Sequence, residues 1–246
     1  MARSANQAHS GRNGFTLIEV LVAIAILGVL MSAVMIAFKS TMDTVQITNE
    51  KTAVTKSLRR TSEFLQRELA QAIINNNRPD GEQVYFEIKQ IPVPGVKPAV
   101  YEQSVLRFGC STERGPAEIG YQVHASSNSW ADYELCRMHR TENMWKYSAE
   151  RNWPLLDFEK EDVEPFSENI IGFQVEFWSS KYGKWVLGNW ESIQRNAMPK
   201  RLKIKLTSVT RSQAKEATVR KTARIKDMPR ANVEVQEVEV TLQQAK

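Results

Sequence analysis

The sequence predicts an α+β protein in which a long N-terminal helix, transmembrane and then amphipathic, packs on an antiparallel β-rich domain. Three observations predict it. Between Phe15 and Phe38 the chain is apolar apart from a single charge, Glu19. From Lys39 to Asn77 there is neither Pro nor Gly, and Val54, Leu58, Leu65, Leu69 and Ile73 recur at spacings of four and seven, a stripe on one side of a helix. Beyond Gly81 the apolar period changes from helical to alternating, the pattern of half-buried strands.

Composition bounds this picture. With 246 residues, 42% apolar and 25% charged, the chain has ordinary globular composition, which excludes disorder as its overall state. A net charge of +5, from 33 Lys and Arg against 28 Asp and Glu, is too mild to imply nucleic-acid binding by itself. Two cysteines, Cys110 and Cys136, are too few for a scaffold built on disulfides.

The first element is the apolar segment 15–38. As a helix it spans roughly 36 Å at 1.5 Å per residue, enough to cross a hydrocarbon core of ~30 Å. It is longer than the ~7–15 apolar residues of a secretory signal peptide. The preceding leader carries Arg3, His9 and Arg12 and no acid, which keeps it cytoplasmic and sends the rest of the chain outward. Glu19 stands against a plain anchor, since a carboxylate in the membrane costs roughly 2.5–3.5 kcal/mol even on the lenient insertion scale. It calls for a cation at the same depth. A cut after Gly14 would supply one, because the new α-amine of Phe15, with an ordinary pKa of ~7.7–8.0, is largely charged at neutral pH. Glu19 of one subunit could then pair with the Phe15 amine of a neighbour.

The run Gly11-Arg12-Asn13-Gly14-Phe15-Thr16-Leu17-Ile18-Glu19-Val20-Leu21-Val22-Ala23 resembles the cleavage and methylation motif of type IV prepilins and type II secretion pseudopilins. In that family a membrane peptidase cuts after the glycine and N-methylates the new phenylalanine. The resemblance therefore implies cleavage between Gly14 and Phe15, methylation of Phe15, and an assembly role for Glu19. It also implies a pilin-like fold.

The second element, residues 39–77, is expected to continue the helix with an amphipathic face, until Asn75-Asn76-Asn77-Arg78-Pro79-Asp80-Gly81 stops it. Strands are expected at 84–88, 105–108, 119–123, 133–135, 171–177, 184–187, 202–206 and 218–225. A last strand, 233–242, has Val233 and Val235 in one parity and Val238, Val240 and Leu242 in the other, so a bulge near Gln236-Glu237 is expected. Residues 92–98 and 152–168 read as loops. The expected organisation is a leader at 1–14, a transmembrane segment at 15–38, an amphipathic helix at 39–77 and a periplasmic β-rich domain at 82–246.

Further likeness lies in the second half. The segment Phe166 to Thr207, with Lys181-Tyr182-Gly183-Lys184-Trp185, Trp190 and Met198-Pro199-Lys200-Arg201-Leu202-Lys203-Ile204, resembles the end of the J-type minor pseudopilins of type II secretion. Leu65-Gln66-Arg67-Glu68-Leu69-Ala70-Gln71-Ala72 is similar to the end of their helix. The resemblance implies a single-pass protein of the bacterial inner membrane with its C-terminal domain in the periplasm. Its implied partners are the I-type and K-type minor pseudopilins, the major pseudopilin and the prepilin peptidase. The implied role is in a tip complex that primes pseudopilus assembly for protein export. A minor type IV pilin of the W-like kind, or a competence pseudopilin serving DNA uptake, is the alternative.

No catalytic arrangement emerges, so the chain is expected not to be an enzyme and to carry no cofactor. In an oxidising compartment Cys110 and Cys136 could form a disulfide; two unpaired thiols are the other reading. A zinc site from Cys110, His124, Cys136 and His139 is disfavoured, because Cys136 and His139 face opposite sides of a continuous strand. The acids from Asp157 to Glu168 match no EF-hand spacing, and no metal is expected. In 201–206 cations alternate with apolar residues, as on a half-buried strand with a basic wet face. No stacking pattern accompanies them, and nucleic acid is not an expected partner. The acidic and basic segments are instead candidates for contacts with complementary subunits.

Overall fold

The computed structural model describes residues 15–74, 85–92, 101–112, 115–125, 133–140, 163–191, 197–210, 212 and 233–242. The chain divides into two compact units, residues 1–49 and 50–246. One helix, α1 (Leu17–Ala70), contributes to both. In the first unit its large apolar side chains from Phe15 to Phe38 are all exposed, Phe15 at 84% and Val20 at 49% among them. It is long and apolar enough to cross a membrane. Ser and Thr hydroxyls along it, such as Ser32 to the Gly28 carbonyl (2.9 Å) and Thr41 to the Ala37 carbonyl (2.9 Å), bond back to the preceding turn and so hide their polarity within the helix.

In the second unit Val54, Leu58, Leu65 and Leu69 of α1 are buried, as their spacing predicts. Thr61 and Ser62 join them. The helix ends at Ala70, seven residues before the expected stop. Gln71 closes a tight turn onto the Glu68 carbonyl (3.0 Å), and β1 (Ala72–Ile73) then pairs with β3 (Tyr101–Thr112) opposite Cys110 and Gly109. Ile73 thus fits the helical spacing yet belongs to the sheet, whose partner strand lies 36 residues away and leaves no local signal. The turn-rich run 75–81 lies outside the described residues.

The remaining strands are β2 (Phe86–Pro92), β4 (Gly115–Ala125), β5 (Tyr133–Arg140), β6 (Val163–Glu168), β7 (Ile170–Ser179), β8 (Lys184–Leu187), β9 (Trp190–Glu191), β10 (Arg201–Ser208) and β11 (Glu234–Thr241). They form one mixed, mostly antiparallel sheet of order β11-β10-β7-β3-β4-β5-β6. With α1 on it, the domain is α+β, consistent with a pilin-like fold. The parallel contact is β3 with β7, where one residue pair, Gln103 and Phe173, is in register.

Side chains supply the bonds that this short parallel contact lacks. Gln103 donates to the Ile171 carbonyl (2.7 Å) and accepts from the Phe173 amide (3.2 Å). Ser104 accepts from the Val175 amide (2.9 Å) and donates to Gln90 (2.8 Å), and Gln90 donates to the Val175 carbonyl (3.1 Å). Backbone groups in the middle of the sheet are satisfied through three polar side chains rather than by a ladder.

Period-two alternation sorts the faces. Leu106, Phe108, Ile119, Tyr121, Leu135, Phe173, Val175, Leu202, Ile204 and Leu206 join the α1 side chains in a single core. Arg201, Lys203 and Lys205 take the opposite parity on β10 and are exposed or half-buried. The reading of 152–168 as loop is corrected at its end: Val163–Glu168 is β6, paired with β5. Its Pro165 and its acids Glu164 and Glu168 mask a strand that the packing of Phe166 against the core and pairing with β5 create. Pro92, read as loop, closes β2. The bulge expected near Gln236-Glu237 is absent, since β10 and β11 pair without a shift from Arg201 opposite Thr241 to Ser208 opposite Glu234. Val235 instead faces solvent, 46% exposed. The strand expected at 218–225 lies outside the described residues.

Between β6 and β7, Asn169 takes a left-handed conformation (φ 59°) that Asn tolerates better than most residues. Its carbonyl accepts from the Ser208 hydroxyl (2.6 Å), anchoring the turn to β10.

Candidate processing and assembly site

The site implied by the N-terminal residues is built on the first turn of α1. Gly14 lies outside the described residues, so the expected cleavage point is described from its Phe15 side alone. Phe15 is exposed. Thr16 is the N-cap and Glu19 the third helical residue, and they bond reciprocally. The Glu19 amide donates to Thr16 Oγ1 (3.3 Å), and the Thr16 amide donates to Glu19 Oε2 (3.4 Å). This is a capping box. It satisfies helix-start amides that hydrocarbon cannot, and it puts an acid where the helix dipole favours one. Sequence reasoning assigned Glu19 to a neighbour's amine and missed this intrachain role, although Thr-x-x-Glu ahead of an apolar run is its usual signature.

Two polar clusters, one half-buried and one buried, organise the domain. On the helix side of the sheet, Glu68 of α1 accepts from Arg137 on β5 (Oε1 to Nη2, 2.5 Å) and from the Tyr121 hydroxyl on β4. Arg137 also lies over the Phe64 ring, 5.6 Å from its centroid. On the other side, Glu118 is 1% exposed and accepts from Arg107 Nε (3.0 Å) and from the Tyr85 hydroxyl (2.5 Å). Burial, with the charge of Glu118 behind it, holds Tyr85 well above the ordinary tyrosine pKa; burial and Glu68 do the same to Tyr121. Both phenols stay protonated and donate to their carboxylates. Each cluster ties elements together, α1 to β4 and β5 through Glu68 and β3 to β4 through Glu118.

The sequence leaves a disulfide and two unpaired thiols both open for Cys110 and Cys136, and the structure holds the two thiols apart. Cys110 and Cys136 are both free and buried. Cys110 of β3 pairs with Ala117 on the helix face, whereas Cys136 of β5, two strands away, pairs with Gln122 on the opposite face. A disulfide needs Cα atoms within about 7 Å and converging Cβ vectors, and the sheet lies between these two. Burial, and then Glu68, pushes the Cys110 thiol up to about 11; burial, and then Glu134, pushes Cys136 up to about 12. The residues weighed for zinc are divided likewise, with Cys110 and His139 in the helix-facing parity and Cys136 and His124 in the other. Of the acidic run, 157–162 lies outside the described residues.

The basic strand meets its own acids. Arg201 pairs with Glu239 (2.7 Å) and Lys205 with Glu237 (3.9 Å), both on β11. Arg201 also stacks over Trp178 and Trp185, and Lys203 over Trp185. Trp190 packs edge-on against Phe177 and donates to the Ala197 carbonyl (3.1 Å). Trp130, Trp145 and Trp153 lie outside the described residues.

Residues 9–35 match the model of the prokaryotic N-terminal methylation motif. Such a motif, heading an exposed apolar helix that can cross a membrane, indicates a type IV pilin-like or pseudopilin protein. It implies processing by a prepilin peptidase and assembly with other pilin-like proteins, and the helix fits a single-pass inner-membrane anchor. No curated protein matches the chain.

Proposed function

We propose that the chain is a minor pseudopilin of a bacterial type II secretion system, most like the J-type. On this reading it is a non-enzymatic assembly subunit with its β-rich domain in the periplasm. It joins the I-type and K-type minor pseudopilins at the pseudopilus tip and primes polymerisation of the major pseudopilin for export across the outer membrane. The observation that carries the reading is the methylation motif with its capped Glu19 at the head of a helix whose large apolar side chains up to Phe38 are exposed. An exposed apolar helix needs lipid before assembly and neighbouring helices after it. The cytoplasmic cationic leader and the retained apolar run support the same orientation.

The reading is tested in two steps. Replacing Gly14 with a bulky residue should leave an uncleaved, unmethylated precursor, seen by mass spectrometry of the N-terminal peptide; a mature N-terminus at Phe15 in that variant would refute the processing step. Deleting the gene should then abolish export of folded periplasmic proteins while leaving any pili and DNA uptake intact. Lost pili or lost uptake with normal export would assign the chain to a pilus or competence system instead.

A further inference from the structure

The cleft between α1 and β6 holds about 530 Å³ and is lined by Lys56, Ser57, Arg60, Phe64 and Phe166, among others. It lies wholly within the unit 50–246. Lys56, Arg60 and Phe64 follow one another at intervals of four, so they form a single line along the helix. Phe64 is 38% exposed and its ring lies 4.9 Å from that of Phe166, making an aromatic floor that the core does not cover. Ser57 and Ser167 meet across the cleft at 3.0 Å and set its width.

The described cations of the domain divide into paired and unpaired ones. Arg59, Arg107, Arg137, Arg201 and Lys205 each have a carboxylate partner. Lys56 and Arg60 have none among the described residues, as is also true of Lys51, Arg67, Lys89 and Lys200, but these two line the aromatic cleft, while Arg59 beside them takes Glu63 at 2.9 Å. Solvated cations are common on a helix, and an exposed phenylalanine is common too. Two unpaired cations on the helix wall of an open cleft that also holds a pair of touching aromatic rings are a shape and a charge pattern awaiting a complement. That complement is anionic at its rim and apolar at its centre.

We propose that this cleft is the docking site for an acidic segment of a neighbouring pilin-like subunit. The segment seats a large apolar side chain on Phe64 and Phe166 and sets its carboxylates against Lys56 and Arg60. A protein occupant is favoured because one wall is α1, the same helix whose exposed apolar segment has to lie beside neighbouring helices in an assembly. The proposal rests on the assembly reading above but not on secretion as its purpose.

The test uses the full chain in cells with their own pilin-like subunits. Ala53 is exposed and lines the cleft, so a benzoylphenylalanine at that position reports the occupant on irradiation. The expected product is a cross-link to another protein with a prepilin motif, mapped by mass spectrometry to a segment bearing at least two Asp or Glu around a large apolar residue. K56E/R60E should lower its yield at least tenfold at equal membrane abundance and equal cleavage at Gly14, whereas R59E should not. Changing the mapped acids to Lys should restore the cross-link to K56E/R60E. If K56E/R60E fails to accumulate, K56Q/R60Q replaces it, with a threefold loss expected. A cross-link within the same chain, one to a protein lacking a prepilin motif, one to a segment without acids, or one indifferent to these charges overturns the proposal. Normal export on deletion of this chain, together with the expected cross-link, would sink the secretion reading and leave the docking proposal standing.

Discussion

Glu19 caps Thr16, and on the proposed reading it would also pair with a neighbour's amine, two tasks that ask different things of one carboxylate. Capping Thr16 needs an acceptor oxygen at the third helical position, which Gln supplies as well as Glu. Pairing with the Phe15 amine of a neighbour needs the negative charge. Glu19→Gln should therefore keep helix capping, insertion and cleavage but lose assembly, whereas Glu19→Val loses both the cap and the charge. Membrane insertion, processing and cross-linked oligomers of the two variants separate the roles; normal assembly of Glu19→Gln would show that the cap alone matters. Glu118 poses the opposite problem, because it is buried and held by Arg107 and Tyr85. Arg107→Ala leaves its charge uncompensated and should cost about 3–5 kcal/mol in chemical denaturation, while Tyr85→Phe, removing one donor, should cost about 1–3 kcal/mol.

At the scale of elements, the legible parts were those with a local period. The stripe Val54, Leu58, Leu65 and Leu69 was visible because a helix closes its hydrogen bonds within four residues. Leu65 is fully buried, and Leu65→Ala should destabilise the domain by about 2–5 kcal/mol, measurable by denaturant titration. Strands β7, β8 and β10 were visible through alternation. β6 was not, because Pro165 and the acids around it read as a turn until β5 pairs with it. The junction of β3 and β7 was equally hidden. Ser104→Ala removes a buried hydroxyl that bridges Gln90 and the Val175 amide, and should cost about 1–3 kcal/mol while leaving the helix intact by circular dichroism.

For the molecule as a whole, the cysteines make a pH dependence. Both thiols ordinarily titrate at 9.0, and the fold raises them to about 11 and about 12. The folded state thus favours the neutral thiols, so their contribution to stability is fully present below pH 9 and is lost as pH rises through 11 and 12. Tyr85 and Tyr121 act in the same direction above pH 10, their ordinary value. Denaturation midpoints should fall between pH 9 and 11, and should fall less steeply in the Cys110→Ala, Cys136→Ala double variant. A reductant should leave the midpoint unchanged at pH 7, since the cysteines lie on opposite faces of the sheet.

The sequence by itself determined the apolar anchor, the processing motif with its acid, the amphipathic half of the helix and most strands, since each depends on residues within one or two turns of one another. The tertiary structure alone decided where α1 stops, that β6 exists, that β11 runs without a bulge, that the cysteines cannot meet, and that Phe64 and Phe166 share a cleft with two unpaired cations. These depend on register and packing between segments distant in the chain, and a single strand's pattern does not say which strand will lie beside it.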